Sequence, residues 1–413
     1  DASIWDYTSA LPNYPFTGCE VGINTYDLVI DNTSSTIATN TNYTIDWGDG
    51  SPFYSSSTLP LQGTSHTYNT LGYFTLILTV DGQNGCISSQ TYSVFNGSNP
   101  PVGFPQPGNT TGFCVVDSIT VDIIGTSGNP PGTTYTITNN AGDPPVVFQH
   151  PPPSTYTHVF TSTSCGATGG NDPNVFYLDM RAENPCGYSD QTVQPITLSV
   201  GPISDFNINP DTIVCVNSVI TFTNTSINGV NVALNQGNYV CDSITIPIWK
   251  INPSNGWSVQ GGSLGSPNPN GNPITWGSNI LDIIFTDPGE YNISLIDSNY
   301  CGPDTMTKKV CIVPVPIPSF SLDNTSGCMP LDVNATNTST SLTDCVDATY
   351  IWDIQQVNSS CGYPITWDFT NGTDSSSIHP SFQINSPGKY IVNLTVINKC
   401  DSTAFSDTIT VKG

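Results

Sequence analysis

The chain has 413 residues, of which only 9% are charged, and its formal net charge at pH 7 is −25. With only seven Lys and Arg residues it lacks the basic patch that neutralises phosphates, so nucleic acids and anionic membrane surfaces are excluded as expected partners. Thr, Ser, Asn, Gly and Pro dominate, helix propensity is poor throughout, and no apolar run is long enough to insert into a membrane as a helix. The length allows several domains, each with its own core.

The thirteen cysteines include no Cys-x-x-Cys pair and no Cys/His cluster with zinc spacing. This usage is typical of a disulfide framework in an oxidising compartment. We therefore expect an extracellular or cell-surface protein. Because neither a signal peptide nor an initiator Met is present, we also expect a mature or excised piece of a longer secreted protein.

Four similar segments follow one another along the chain. Each begins near an early cysteine and ends with a period-two strand and a late cysteine. The late cysteines recur about every hundred residues, the usual size of a seven-stranded sandwich. The early cysteines are Cys19, Cys114, Cys215 and Cys328, and the late ones are Cys86, Cys186, Cys301 and Cys400.

Short Pro-rich linkers separate the segments and predict semi-rigid spacers rather than flexible tethers. They lie at 98–108, 200–206 and 313–320. The strands between them alternate apolar and polar residues, which predicts antiparallel sandwich strands with one face in a core. We predict an all-β chain of four tandem antiparallel β-sandwiches without helices longer than a turn or two, over 1–98, 99–201, 202–314 and 315–413.

The first segment contains three motifs in a characteristic order. They are Tyr-Thr-Ile-Asp-Trp-Gly-Asp-Gly-Ser at 43–51, Ser-His-Thr-Tyr at 65–68 and Leu-Gly-Tyr-Phe-Thr at 71–75. With these motifs the segment resembles a PKD (polycystic kidney disease) domain. The fourth segment follows the pattern, whereas the second lacks Trp-Gly-Asp-Gly and the third has long insertions. Gly-Cys-Met-Pro-Leu from 327 is similar to PKD-like repeats of very large secreted Bacteroidota proteins. The resemblance implies an immunoglobulin-like fold and gliding-motility adhesins as relatives.

The early and late cysteine of each segment predict one disulfide inside each sandwich. The expected pairs are Cys19–Cys86, Cys114–Cys186, Cys215–Cys301 and Cys328–Cys400. We also expect Cys241–Cys311 and Cys345–Cys361 to pair within the third and fourth segments. Cys165 is the odd thiol, and we favour an unpaired or intermolecular state for it. The alternative is that Cys165 replaces Cys114 or Cys186 in a pair and leaves another thiol buried.

Candidate catalytic or metal-binding groups are few. Asp46 and Asp49 flank Trp47 and could hold Ca²⁺, but a turn in which Gly48 and Gly50 take positive φ and Asp49 accepts amide hydrogen bonds is favoured. His66, His158 and His379 precede an aromatic residue at equivalent places, and His150 is the fourth histidine. Such recurrence favours a structural role over general-base catalysis. We predict no enzymatic activity and no cofactor.

Two recurring polar patterns concern glycosylation. Asn-Thr-Ser at Asn32, Asn224 and Asn337 matches an N-glycosylation sequon, but its place at a strand end favours a turn. A second pattern, Asp followed by Ser or Thr and then an apolar or Thr residue, resembles the O-glycosylation signal of Bacteroidota. It makes candidate sites of Ser118, Thr212, Ser243, Thr305, Ser402 and Thr408.

Insertions distinguish the segments, so individual functions are expected there. The second segment inserts 161–170, and the third inserts 227–247 and 252–272. Trp257 in the last insertion could stack on a sugar ring, or it could fold back over its own sandwich.

Three functions suit such an array. The first is a rigid stalk or adhesin segment of a surface protein that presents loops to a carbohydrate or to another surface protein. The second is a set of accessory modules of a secreted polysaccharidase or protease. The third is a subunit of an extracellular filament that docks head to tail. In each case the neighbouring modules are the first expected partners.

Overall fold

The structure is a computed structural model that describes residues 1–8, 16–20, 24–59, 63–266, 275–340, 347–359 and 364–413. It confirms the predicted fold class, tandem immunoglobulin-like antiparallel β-sandwiches. Within the described ranges, helical structure is limited to a 3-10 helix at Ile37–Thr39. None of the helical structure described there is long and apolar enough to cross a membrane.

The chain folds into two compact units. The first unit comprises Asp1–Val200 and Val230–Asp242, and the second comprises Gly201–Gly229 and Ser243–Gly413. Each unit contains two hydrophobic cores. They are formed by residues within 2–94 and 102–198 in the first unit, and within 206–312 and 320–411 in the second. We call the β-structures around these cores the first to fourth sandwiches. The predicted domain boundaries themselves stay a prediction.

The first sandwich contains eight described strands. They are β1 (Ile4–Asp6), β2 (Thr17–Gly18), β3 (Tyr26–Asn32), β4 (Asn40–Asp46), β5 (Tyr54–Ser56), β6 (Thr64–Tyr68), β7 (Gly72–Gly82) and β8 (Ile87–Asn96). One sheet has the order β1-β3-β6, and the other has the order β2-β8-β7-β4-β5. Period-two patterning places Leu76, Leu78 and Val80 of β7 in the core, as predicted.

The second sandwich is built around a four-stranded sheet. Its described strands are β9 (Phe113–Cys114), β10 (Asp117–Asp122), β11 (Thr134–Asn139), β12 (Val146–Gln149), β13 (Thr155–Phe160), β14 (Thr168–Gly169), β15 (Asp172–Pro173), β16 (Phe176–Asn184), β17 (Gly187–Ile196) and β18 (Leu198–Ser199). The sheet has the order β12-β11-β16-β17, and β10 pairs with β13.

The third segment contributes the third sandwich and a separate hairpin. Its described strands are β19 (Phe206–Asn209), β20 (Ile213–Cys215), β21 (Val219–Asn224), β22 (Asn231–Asn235), β23 (Asn238–Asp242), β24 (Ile246–Asn252), β25 (Trp257–Gly261), β26 (Ile280–Phe285), β27 (Gly289–Asn299) and β28 (Gly302–Val313). The sheets are β19-β21-β26-β25 and β20-β28-β27-β24. The hairpin β22–β23, expected as an insertion of the third sandwich, belongs to the first unit.

The fourth sandwich again has two four-stranded sheets. Its described strands are β29 (Phe320–Leu322), β30 (Ser326–Cys328), β31 (Leu331–Asn337), β32 (Thr349–Ser359), β33 (Trp367–Thr370), β34 (Ser381–Ile384), β35 (Gly388–Ile397) and β36 (Ser402–Lys412). The sheets are β29-β31-β34-β33 and β30-β36-β35-β32.

One pairing recurs in all four sandwiches. A short strand near the early cysteine lies parallel to the last strand: β2 on β8, β9 on β18, β20 on β28 and β30 on β36. The other described ladders are antiparallel. The parallel pairing therefore places each early cysteine beside the C-terminal end of the last strand of its own sandwich.

The Asn-Thr-Ser segments form the predicted turns. The Oδ1 atoms of Asn32, Asn224 and Asn337 each accept a hydrogen bond from the N–H of the Ser two residues later, at 3.0, 2.8 and 2.9 Å. Asn side chains that bond their own backbone in this way stabilise the chain as it leaves a strand.

A glycine is required where the first and second sandwiches meet. Gly132 has φ +91°, and a Cβ there would collide with the ring of Tyr73. That ring also packs on Phe95, with 4.8 Å between ring centroids. The Tyr73 ring thus covers the Gly132 backbone.

We expect Gly132→Ala to lower the free energy of unfolding of the first unit more than Gly142→Ala does. Gly142 has φ +97° and open space around it, so both variants carry backbone strain but only Gly132→Ala adds overpacking, about 1–3 kcal/mol. Denaturant unfolding of the full chain measures the difference. Equal losses for the two variants would contradict close packing of Tyr73 on Gly132.

Candidate functional site

The late cysteines lie in a common turn between the last two long strands of their sandwiches. In each turn an Asn stands two residues before the cysteine and its Oδ1 accepts a hydrogen bond from the cysteine N–H. The pairs are Asn84/Cys86, Asn184/Cys186, Asn299/Cys301 and Asn398/Cys400, at 3.0, 2.8, 2.9 and 2.8 Å. This Asn-x-Cys pattern is visible in the sequence, although none of the predictions above uses it.

In the first, third and fourth sandwiches the early and late cysteines lie at opposite ends of the last strand. In the first sandwich Gly18, which precedes Cys19, pairs with Asn96 at the end of β8, whereas Cys86 directly precedes the start of β8. The ten residues of β8 span about 33 Å at about 3.3 Å per residue. A disulfide requires Cα atoms within about 4.4–6.8 Å. The two cysteines therefore cannot pair with each other.

Two disulfides instead join consecutive sandwiches within a unit. Cys19 of the first sandwich bonds to Cys186 of the second, with 5.4 Å between Cα atoms. Cys215 of the third bonds to Cys400 of the fourth, with 5.5 Å between Cα atoms. In both cases the early cysteine of one sandwich meets the late cysteine of the next. We call these two regions the first joint and the second joint.

These bonds correct all four pairs expected inside single sandwiches. The pairs Cys19–Cys86, Cys114–Cys186, Cys215–Cys301 and Cys328–Cys400 are wrong. Cys114 and Cys301 are disulfide-bonded, and Cys86 and Cys328 are exposed free thiols. The expected Cys345–Cys361 pair lies outside the described residues.

Hydrogen bonds from the late-cysteine turn reinforce both joints. In the first joint Asn184 Nδ2 donates to Ser98 O at 2.9 Å, and Ser189 Oγ donates to Pro100 O. These acceptors are backbone carbonyls of the Pro-rich linker, which contains few N–H groups of its own. The linker is thereby attached to the following sandwich.

The second joint repeats these contacts. Asn398 Nδ2 donates to Pro314 O at 2.8 Å, and Thr403 Oγ1 donates to Pro316 O at 2.6 Å. In addition, Lys399 Nζ lies 2.5 Å from Asp211 Oδ2. The hydrogen bond from Lys399 holds the pKa of the Asp211 carboxyl below its ordinary value.

Cys165 is neither free nor intermolecular. It bonds to Cys241 of the hairpin β22–β23, with 6.0 Å between Cα atoms. The hairpin also receives a hydrogen bond from Asn174 Nδ2 to Tyr239 O at 2.7 Å. The predictions of an odd thiol at Cys165 and of a Cys241–Cys311 pair are therefore wrong.

The physical reason is that the hairpin packs on the second sandwich, which brings Cys241 to the 161–170 insertion. Val232 N donates to Ser199 Oγ of the second sandwich at 2.9 Å, which holds the other strand of the hairpin there. Cys311 is itself disulfide-bonded and lies buried on β28.

The Trp-Gly-Asp-Gly turn encloses a histidine–carboxylate pair. His66 Nε2 lies 2.8 Å from Asp49 Oδ2, and both side chains are 14% exposed. The rings of His66 and Trp47 stack at 4.5 Å. Ser51 donates to the other oxygen of Asp49 from its N–H and its hydroxyl, at 3.0 and 2.6 Å. Burial opposes the charge, but the hydrogen bonds from Ser51 and His66 outweigh it and lower the pKa of Asp49.

Asp46 and Asp49 act separately rather than as one ligand set. Asp46 Oδ1 accepts from Gly48 N at 3.0 Å, and Gly48 and Gly50 have the expected positive φ of 76° and 81°. Over the described ranges, no three His, Cys, Asp or Glu side chains come together as a metal site. The geometry favours the predicted turn over a Ca²⁺ site.

The other histidines also contact structural partners. His158 Nδ1 and Tyr156 Oη are 3.1 Å apart, and its Nε2 lies 3.2 Å from Asp143 Oδ2. Burial lowers the pKa of His158. His379 Nδ1 accepts a hydrogen bond from Asn337 N at 3.0 Å. These contacts support the structural role expected for the recurring histidines.

Trp257 packs against the core of its own sandwich. The side chain is half-buried there, and Nε1 donates to Pro253 O at 2.9 Å. This arrangement corresponds to the alternative in which the ring folds back, and contact with a sugar stays a prediction.

The candidate O-glycosylation residues are all exposed to solvent. In four of the sites the Asp Oδ1 accepts a hydrogen bond from the N–H of the Ser or Thr. The six exposed residues are Ser118, Thr212, Ser243, Thr305, Ser402 and Thr408. Exposure is a requirement for modification, and modification itself stays a prediction.

Peptide mapping without reductant tests the joints. We expect cross-linked peptides that join Cys19 to Cys186 and Cys215 to Cys400, because the Cα atoms of these pairs are 5.4 and 5.5 Å apart. Mass spectrometry of a peptic digest identifies them, and a reduced, alkylated sample is the control. A peptide that links Cys19 to Cys86 would contradict the assignment.

Asp49→Ala should lower the free energy of unfolding by about 1–3 kcal/mol at pH 7, because it leaves the partly buried donors of Ser51 and His66 unpaired. The folded-state pKa of Asp49 is lowered, so its contribution is present above the ordinary Asp pKa of about 3.9 and is lost as the pH falls through the folded-state value. Denaturant unfolding between pH 7 and pH 3 measures this. The loss in the Asp49→Ala/His66→Ala double variant should be smaller than the sum of the single losses. A pH-independent loss would refute the prediction.

Comparisons with known proteins give structural similarity only. No family model matches the chain, and no curated protein matches it. Titin domains I67–I69 are similar at 12% identity over 76% of this chain and 100% of that chain, with a TM-score of 0.33. The mouse nectin-like molecule 4 ectodomain matches at 10% identity over 72% and 94% with a TM-score of 0.35. The Escherichia coli adhesin FdeC matches at 14% over 83% and 93% with a TM-score of 0.34. The similarity is one of fold alone.

Proposed function

We propose that this chain is a non-catalytic, extracellular repeat segment of a surface adhesin or stalk. It spaces binding loops or presents them to a carbohydrate or to another surface protein. The observation that carries the proposal is the disulfide that ties the early cysteine of one sandwich to the late cysteine of the next, in each of the two units.

Such a bond changes the path of a mechanical load. A pull that reaches Cys19 passes through the bond directly to Cys186, so the stretch between them, with a sequence separation of 167, is shielded. The bond from Cys215 to Cys400 shields the stretch between these two cysteines in the same way. Their sequence separation is 185. The sandwiches can then remain folded under a force that would unfold an unbridged array.

The linkers support the same role. Pro residues limit the backbone conformations of each linker, and hydrogen bonds from Asn184 and Asn398 attach two of the linkers to the following sandwich. A linker that is restricted in this way transmits orientation from one sandwich to the next. A restricted linker of this kind suits a spacer better than a flexible linker would.

Composition and resemblance also support the proposal. Disulfides persist in oxidising compartments, which favours an extracellular location. The PKD-like signature is similar to repeats of large Bacteroidota surface proteins, including gliding-motility adhesins. His66, His158 and His379, the candidate general bases, make structural contacts, which supports a role without catalysis.

Force measurements on single molecules test the stalk function. We expect a molecule pulled from both ends without reductant to extend little beyond the unshielded residues. Reduction should release about 60 nm from the Cys19–Cys186 loop and about 67 nm from the Cys215–Cys400 loop, at about 3.6 Å per residue for separations of 167 and 185 residues.

The molecule to be pulled carries Cys86→Ser and Cys328→Ser, so that its exposed thiols cannot link it to another copy. A Cys19→Ser/Cys186→Ser variant of it is the matched control and should lengthen before reduction. If the parent molecule releases the same length with and without reductant, the load does not pass through the joints and the proposed function is wrong.

A further inference from the structure

Two cysteines of the repeating set are not bonded in this chain. Cys86 and Cys328 are exposed free thiols. Their equivalents in the joints are bonded: Cys186 and Cys400 correspond to Cys86, and Cys19 and Cys215 correspond to Cys328. The two free cysteines are therefore of opposite kinds, one late and one early.

The environment of Cys86 matches that of the bonded late cysteines. In the joints the Asn two residues before the cysteine and the Ser or Thr three residues after it both donate to carbonyls of the preceding linker. Asn84 and Ser89 stand at the same places in the first sandwich. Both are exposed. The Asn84 amide nitrogen has no acceptor among the described residues, whereas the Ser89 hydroxyl lies 2.9 Å from Thr79 Oγ1 of its own sandwich. The Asn donor that marks each joint is thus available at Cys86.

Cys328 matches the bonded early cysteines. It ends the short strand β30, where it pairs in register with Lys412 near the end of β36. Cys215 ends β20 in the same way and pairs with Val313 at the end of β28. In the second joint this position places the thiol against the late-cysteine turn of the following sandwich. Cys328 offers the same geometry to a sandwich that carries a free late cysteine.

We propose that Cys328 of one copy of this chain bonds to Cys86 of a second copy and forms a third joint of the same kind, head to tail. The second copy is the partner because it supplies both the late cysteine and its Asn84 donor. Asn84 would then donate to the carbonyl of Gly413, which directly follows β36 of the first copy as Pro314, the acceptor of Asn398, directly follows β28.

The bond forms by oxidation of two thiols. Each Cys loses its proton, the two sulfurs form one S–S bond, and two electrons pass to a disulfide oxidant. Oxidised glutathione serves this purpose and leaves as two molecules of reduced glutathione. The step therefore needs no catalytic residue of the chain itself.

Pairing of like cysteines does not reproduce a joint. Two copies of Cys86 would bring together two late-cysteine turns, each with donors and neither with a linker. Two copies of Cys328 would bring together two early cysteines with no donors between them. Only the unlike pair repeats the pairing of an early with a late cysteine seen at Cys19–Cys186 and Cys215–Cys400, and an unlike contact of this kind generates open chains.

The experiment compares three proteins in a glutathione redox buffer that leaves the joints oxidised. The wild-type chain should form a ladder of covalent oligomers on a non-reducing gel, and the ladder should collapse to monomer with reductant. Cys86→Ser alone and Cys328→Ser alone should each remain monomeric. An equimolar mixture of the two variants should yield dimers and nothing larger, at a level at least tenfold above either variant alone. Both substitutions are at exposed positions, and thermal unfolding of each variant verifies that it folds.

Two results would overturn the proposal. One is a wild-type chain that stays monomeric throughout the redox series. The other is a single variant that dimerises as efficiently as the mixture, since this shows pairing of like cysteines. The inference rests on the proposed stalk function, but the two can fail separately, because the force measurement uses a molecule without Cys86 and Cys328.

Discussion

The parallel pairing of a short early strand with the last strand of each sandwich is the constraint on which the joints depend. It places the early cysteine beside the C-terminal end of the last strand, as the Gly18–Asn96 and Cys328–Lys412 registers show. In the first, third and fourth sandwiches the late cysteine lies at the other end of that strand, in the Asn-x-Cys turn. A disulfide inside one sandwich would have to span a full strand length, so the bonds form between consecutive sandwiches.

The joints give a sparsely charged chain a source of stability that does not depend on salt bridges. In the chain-entropy model, closure of a loop as long as that between Cys19 and Cys186 is worth roughly 5 kcal/mol relative to the open unfolded chain. The hydrogen bonds to the Pro-rich linkers also orient each linker on the turn that carries the late cysteine, because the donor side chains lie in that turn. The ion pair between Lys399 and Asp211 is exposed and adds little by comparison.

Residues that look catalytic in the sequence close the edges of the sandwich cores. The His66–Asp49 pair stacks on Trp47 and satisfies a tight glycine turn. In the third and fourth sandwiches the corresponding tryptophans, Trp249 and Trp352, donate to the carbonyls of Ser278 and Ser377 at 2.9 Å. A buried Trp whose Nε1 is hydrogen-bonded to a backbone carbonyl is thus common to the third and fourth sandwiches.

The sequence by itself determined the fold class, the four segments and the turns at Asn32, Asn224 and Asn337, because period-two patterning, turn residues and repeats act over short stretches of chain. It also carried the Asn-x-Cys pattern that marks the late cysteines. Only the tertiary structure decided which cysteines bond. Cys19 and Cys86 are close in sequence but separated by the length of β8, and Cys165 meets Cys241 because a hairpin of the third segment packs on the second sandwich. Two cysteines bond when they are close in space. Strand pairing and packing determine that distance, and sequence separation does not.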